Sequence, residues 1–172
     1  MNEHAVTSDP LTGATVTGRP PAAEQPSGSQ VEDAVEIRLP ADSAYLSVLR
    51  TATAGLAARL NFTLDEIEDL RIAVDEACAM LLAVAVRGGS GGTTGGGSGA
   101  GGPAGSAELT CEFEVTPTAL SISVGVSVEG TPALPGNQSF SWQVLTALAG
   151  EVTADASPGR AVIRLMKRRT PR

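Results

Sequence analysis

The sequence predicts an α+β domain built as a two-layer α/β sandwich, a mixed, mostly antiparallel sheet with helices on one of its faces. Three observations predict it. Apolar side chains alternate with Ser, Thr, Glu or Gly over 109–115 and 120–128, so each stretch is a strand with one apolar face. Apolar residues recur at three- and four-residue spacing over 45–60 and 64–81, which gives two helices with one buried stripe each. The order strand, helix, helix, linker, strand, strand, helix, strand, strand groups the helices too closely for a doubly wound parallel sheet.

The elements follow in order. Residues 1–34 are rich in Ser, Thr, Pro, Gly and Ala and read as a disordered tail, because they cannot bury enough apolar area to offset ordering. Val35, Ile37 and Leu39 alternate with Glu36 and Arg38 as a short strand that Pro40 ends. Asp42 or Ser43 caps the first helix, whose stripe is Tyr45, Val48, Leu49, Ala52, Leu56 and Leu60. Thr63-Leu64-Asp65-Glu66 is a capping box, and the acids of the next turns suit the positive end of a helix dipole. This second helix runs to about Val86 on a stripe of Leu64, Ile67, Leu70, Val74, Ala77, Cys78 and Leu81.

Eleven of the 20 glycines then fall between Gly88 and Gly105. The stretch 88–106 reads as a flexible linker inside the domain, not a phosphate loop, since no Gly-Lys-Ser/Thr follows and no strand-turn-helix frames it. Pro117-Thr118 turns one antiparallel hairpin, and 129–138 is a loop. Ser139 opens a short helix with Phe140, Val144, Leu145 and Leu148 facing inward, and Gly150 ends it. A last hairpin joins Val152–Ala154 to Ala161–Met166 through Ser157-Pro158-Gly159. The domain spans 35–168, and 169–172 is a basic tail.

Composition narrows the function. The 172 residues suffice for one domain plus tails, and the formal net charge of −7 argues against bulk nucleic-acid binding. Charge is nevertheless polarised, with six of the twelve Lys and Arg lying in 160–172. No apolar run approaches the ~20 residues of a membrane span, and the first residues carry no secretory signal pattern. Cys78 and Cys111 make no disulfide framework, and with a single His they cannot fill a usual structural zinc site. Both read as small core residues in a reduced, cytoplasmic compartment.

The segment LDEIEDLRIAVDEACAMLL resembles the helix that carries the N-box of the gyrase/histidine-kinase type of ATPase domain. It most resembles the anti-sigma factors that double as serine protein kinases, the RsbW/SpoIIAB type. The likeness extends back through YLSVLRTATAGLAARLNFTLDE and resumes at SFSWQVLTALAGEVTADASPGRAVIRL, in the matching element order. The ordered set carries the resemblance, and its degenerate form looks like the actinobacterial-type branch. The resemblance implies a histidine-kinase-like ATPase fold. It implies a homodimer that sequesters an alternative sigma factor of RNA polymerase and is released by an anti-anti-sigma protein. In ATP-active members the domain phosphorylates a serine of that antagonist.

Carried over residue by residue, the resemblance places the family's general-base glutamate at Glu76 and its Mg²⁺-ligating asparagine at Met80. A thioether is a poor ligand for a hard cation, so no metal ligand set is expected. The family's Asp-x-Gly-x-Gly motif falls at Val126 or Glu129, where its glycine pair is missing; Glu129 and Gly130 are a weak nucleotide-binding imitation. The family's glycine-rich opening of the last helix is replaced by Ser139-Phe140-Ser141-Trp142, whose rings would crowd a phosphate. No cofactor is therefore expected, and ATP with Mg²⁺ enters only if the chain is an active kinase. Arg50 matches an arginine that the family uses to contact its sigma factor and antagonist, and it can pair with carboxylates in a bidentate manner.

Overall fold

The computed structural model describes residues 33–88 and 107–170. Among these residues it is an α+β structure with three α-helices and one five-stranded sheet. Strand β1 (Asp33–Pro40) leads through a 3-10 turn at Ser43–Tyr45 into α1 (Leu46–Arg59) and α2 (Leu64–Gly88). Strands β2 (Glu108–Val115) and β3 (Ala119–Ser127), helix α3 (Phe140–Ala149) and strands β4 (Glu151–Ser157) and β5 (Arg160–Arg168) complete it. Residues 1–32, 89–106 and 171–172, which include most of the expected N-terminal tail and the glycine-rich stretch, lie outside the described residues.

Local chemistry sets the helix starts. The Asp42 carboxylate accepts from the Ala44 amide at 2.8 Å, so Asp42 caps the 3-10 turn. The Thr63 amide donates to Glu66 Oε2 at 2.8 Å while the Glu66 amide donates to Thr63 Oγ1 at 3.2 Å. Two otherwise orphaned donors are thus satisfied reciprocally, as a capping box requires. Ser139 caps α3 by accepting from the Trp142 amide at 3.3 Å.

The strand order is β1-β2-β3-β5-β4, and every neighbouring pair is antiparallel. The expected mixed sheet is therefore corrected to an antiparallel one. Strands β3 and β4 run the same way, with α3 between them, but β5 inserts between them and pairs with both. The parallel contact that a helix crossover would have made never forms.

The core lies between the helices and one face of this sheet. Leu109, Cys111, Phe113 and Val115 of β2 and Leu120, Ile122, Val124 and Val126 of β3 are buried against Leu70, Val74, Ala77, Cys78 and Leu81 of α2. Burying a side chain of this size contributes about 1.5–3 kcal/mol. Three stripe assignments are corrected. In α1 the buried residues are Leu49, Thr53 and Ala57, while Tyr45 and Val48 are exposed, because α1 rests on α2 and turns that side outward. Leu64 is exposed because it sits in the first turn of α2, ahead of the packed stretch. Phe140 is 79% exposed, since the first residue of α3 projects before the helix reaches the core; Leu145 and Ala149 are the buried residues of that helix.

Arg169 and Thr170, just beyond β5, are tied to the rest of the fold. The Arg169 amide donates to the Thr118 carbonyl at 2.8 Å, and Thr170 Oγ1 donates to Glu66 Oε1 at 3.1 Å. No helix among the described residues is long and apolar enough to cross a membrane.

Candidate functional site

Helix α2 carries the residues singled out in the sequence, and α1 presents a second set beside it. The two helices fold back on each other through the short turn after Arg59. Asn61 adopts φ 58° there, a left-handed conformation that asparagine tolerates. The fold-back brings Arg50 of α1 opposite Asp75 of α2, with Arg50 Nη1 3.3 Å from Asp75 Oδ2. Arg71 pairs with Glu68 one turn earlier. Asp75 Oδ1 and Arg71 Nε are buried and make no hydrogen bond. Burial pushes the Asp75 carboxyl above its ordinary value, against the pull of Arg50 and Arg71. The side chains of Arg50 and Asp75 remain 41% and 35% exposed, so a partner's carboxylate can reach the guanidinium.

The next residue along α2, Glu76, is half-buried and makes no hydrogen bond or ion pair among the described residues. Met80 is 5% exposed and belongs to the apolar core with Ala77 and Leu81. Glu76 and Met80 share a side of α2, as their spacing requires, but only Glu76 reaches solvent. At the end of β3, Val126 is buried and Glu129 is exposed. Gly130, at φ 70°, accepts from the Gly159 amide at 2.7 Å, and the Val128 amide donates to the Gly159 carbonyl at 3.0 Å. Glu129 and Gly130 thus belong to a turn laced to the β4–β5 hairpin. Trp142 packs partly buried against the core, whereas Phe140 points away from it.

Between the end of α2 and this turn lies a cleft of about 180 Å³ lined by Val84, Arg87, Val128, Glu129, Thr131 and Pro132. Small-molecule sites run from ~300 to 1,000 Å³. The groups present do not fit a magnesium–nucleotide complex in the manner the resemblance implies. The thioether at 80 lies in apolar surroundings, and hard Mg²⁺ requires oxygen ligands. The described residues hold no group of three or more His, Cys, Asp or Glu side chains placed to share a metal ion. The structure does not gather Arg50 and the Glu129–Gly130 turn into one site; they belong to different elements.

Both cysteines are buried and free. Burial pushes the Cys78 thiol up to about 12 and raises that of Cys111 as well, which leaves both without a nucleophilic thiolate near neutrality. Sequence reasoning missed Asp75 as the mate of Arg50. The signal was available: two helices joined by a short turn pair residues at similar distances on either side of it, and Arg50 and Asp75 are such residues. It also missed the hold of Lys167, whose ammonium donates to the Leu148 carbonyl at 2.7 Å and to Asp69 at 3.5 Å.

No protein-family model matches the chain. Curated relatives do. A serine-protein kinase RsbW of Bacillus subtilis (strain 168) is 48% identical over 46 residues, which cover 27% of this chain and 29% of the relative. The same-named protein of Bacillus pumilus (strain SAFR-032) is 36% identical over 63 residues, 37% of this chain and 39% of the relative. The chain is similar to RsbW serine-protein kinases. The matched stretches span between 29% and 39% of those relatives' length.

Proposed function

We propose that this chain is a binding protein of the partner-switching kind. It sequesters an alternative sigma factor of RNA polymerase in the cytoplasm, works as a homodimer, and gives up the sigma factor to an anti-anti-sigma antagonist. In this reading the domain has the histidine-kinase-like ATPase fold with a degenerate nucleotide position. The observation that carries it is Met80: the position that the resemblance assigns to the magnesium ligand is a buried member of the apolar core. Phosphoryl transfer depends almost wholly on a metal and on positioned donors, so a scaffold without them is left with its surfaces. Arg50, half-exposed on α1, is the partner-binding residue of this reading, and Asp75 holds its guanidinium until a partner carboxylate displaces it.

The test is capture. Tagged protein is expected to retain a sigma factor identifiable by mass spectrometry, and Arg50→Glu to lose it while melting within a few degrees of the parent. Retention of the sigma factor by the Arg50→Glu variant, or capture of none by the parent, overturns the reading.

A second reading is favoured by Glu76, which stands half-exposed at the general-base position, and by the names of the relatives. In it the chain is an active serine protein kinase acting on the antagonist, with Glu129 and Gly130 touching the nucleotide. That reading requires Mg–ATP to stabilise the fold, by ~2.7 kcal/mol at 100 times the dissociation constant. A flat thermal-shift titration removes it.

A further inference from the structure

Arg50 and Asp75 belong to a longer row of charges across the contact between α1 and α2. Glu68, Arg71 and Asp75 follow one another along α2 at spacings of three and four residues, which puts them on one side of the helix. Arg50 reaches the end of this row from α1. The row is neutral and closes as two pairs, Glu68 with Arg71 and Asp75 with Arg50. Its inner members, Arg71 and Asp75, stand one helical turn apart, yet no hydrogen bond or ion pair joins them.

The atoms these two leave unused are complementary. Arg71 Nε carries a proton to donate and Asp75 Oδ1 has lone pairs to accept it, and both atoms are buried without a hydrogen-bond partner among the described residues. Each has given up water without gaining a bond, which is costly for a polar atom. A rotation of the Asp75 side chain toward Arg71 satisfies both at once, because the helix already holds them at i and i+4. With Arg50 on Oδ2 at 3.3 Å, that rotation is not made. Arg71 has capacity to spare: its guanidinium offers a fork of several N–H donors, and Glu68 takes only Nη1. Its charge already draws on the Asp75 carboxyl.

A partner carboxylate that takes Arg50 removes the cation from Asp75. Without a substitute, Asp75 would be left with a buried oxygen and no counter-charge, and an ion pair broken in that way costs more than the pair contributed. Arg71 supplies the substitute from the same helix. We propose that Arg71 is a positioning residue of the partner surface: when a partner draws Arg50 away, Asp75 turns from Arg50 to Arg71 Nε, and this exchange lowers the cost of freeing Arg50. The proposal rests on the reading of Arg50 as the partner-binding residue, but the exchange itself is a property of the isolated chain.

The exchange is therefore tested first without a partner, on the full chain, with Arg50→Gln standing in for a withdrawn guanidinium. The Nε–H signal of Arg71, assigned by its loss in Arg71→Lys, is followed by nitrogen-15 NMR. Its exchange with water is expected to slow by about fivefold or more in Arg50→Gln, and to return to the parent rate when Asp75→Ala is added. Urea denaturation supplies a double-mutant cycle between Arg71→Lys and Asp75→Ala. The coupling is expected to change the unfolding constant less than about twofold with Arg50 present and about fivefold or more in Arg50→Gln. In the capture experiment Arg71→Lys, which keeps the charge but lacks Nε, is expected to weaken retention of the sigma factor by about fivefold at an unchanged melting temperature. An Arg71 Nε–H that exchanges equally fast in the parent and in Arg50→Gln, or a coupling equal in the two backgrounds, overturns the exchange. Full retention of the sigma factor by Arg71→Lys overturns its role in binding. Capture of no sigma factor by the parent instead overturns the reading of Arg50, and the NMR and the cycle still decide the exchange.

Discussion

The first half of α2, from Leu64 to Asp75, and its second half, from Glu76 to Gly88, meet different surroundings. In the first half polar groups are engaged: Glu66 caps the helix and accepts from Thr170, Asp69 receives Lys167, and Asp75 receives Arg50. In the second half Ala77, Cys78, Met80, Leu81 and Val84 are buried apolar residues, and Glu76 has no partner among the described residues. The contrast teaches where each activity can reside. A helix that spends its polar contacts on tying elements together offers a surface whose charges are already held in place. A helix half sunk in the core leaves one half-exposed carboxylate, Glu76, beside apolar residues that cannot ligate a hard cation.

The comparison can be broken most severely in the second half. Leu81→Ala removes a fully buried side chain, and a loss of about 2–5 kcal/mol is expected by urea denaturation. Met80→Asn places an amide among apolar neighbours and is expected to cost about 1–3 kcal/mol. It is also expected to confer no melting shift with Mg–ATP; such a shift would show that the second half still reads as a metal site. In the first half Thr63→Ala removes one side of the capping box, with an expected loss of about 1 kcal/mol.

The smallest effects sharpen the comparison by pH. The Asp75 carboxyl titrates above its ordinary value of 3.8, so the folded state holds its proton more firmly than the unfolded chain. Its ionised form therefore costs stability, and that cost is relieved as pH falls through the raised value. Glu66 is held below its ordinary 4.5, foremost by the hydrogen bond from the Thr63 amide. Its contribution is present above 4.5 and is lost as pH falls through the lowered value. Acid titration of stability is thus expected to steepen in Asp75→Asn and to flatten in Glu66→Gln. The same sign in both variants would contradict the assignment of opposite shifts.

Much of the frame was legible because it rests on short-range chemistry. The capping box at Thr63–Glu66, the alternation of β2 and β3 and the stop at Gly150 are each encoded within a few residues. Periodicity failed where a stripe was longer than the contact it served. Tyr45, Val48, Leu64 and Phe140 fit the helical spacing, yet the helices cross their supports only over part of their length, and these residues lie at the uncovered ends and sides. For the candidate site, the sequence was enough to mark Glu76, Met80, Glu129 and Arg50 as positions of interest. It did not reveal that Met80 is sealed in the core or that Arg50 has Asp75 as its mate.

By itself the sequence determined which segments are helices and strands, which strand faces are apolar, and where the helices begin, because these follow from the period of side chains along one segment and from hydrogen bonds within one turn. Only the tertiary structure decided that β5 lies between β3 and β4 and that the sheet is therefore antiparallel. Those outcomes depend on which distant segments become neighbours, and the order in which strands pair is set by how the whole apolar surface is covered at once.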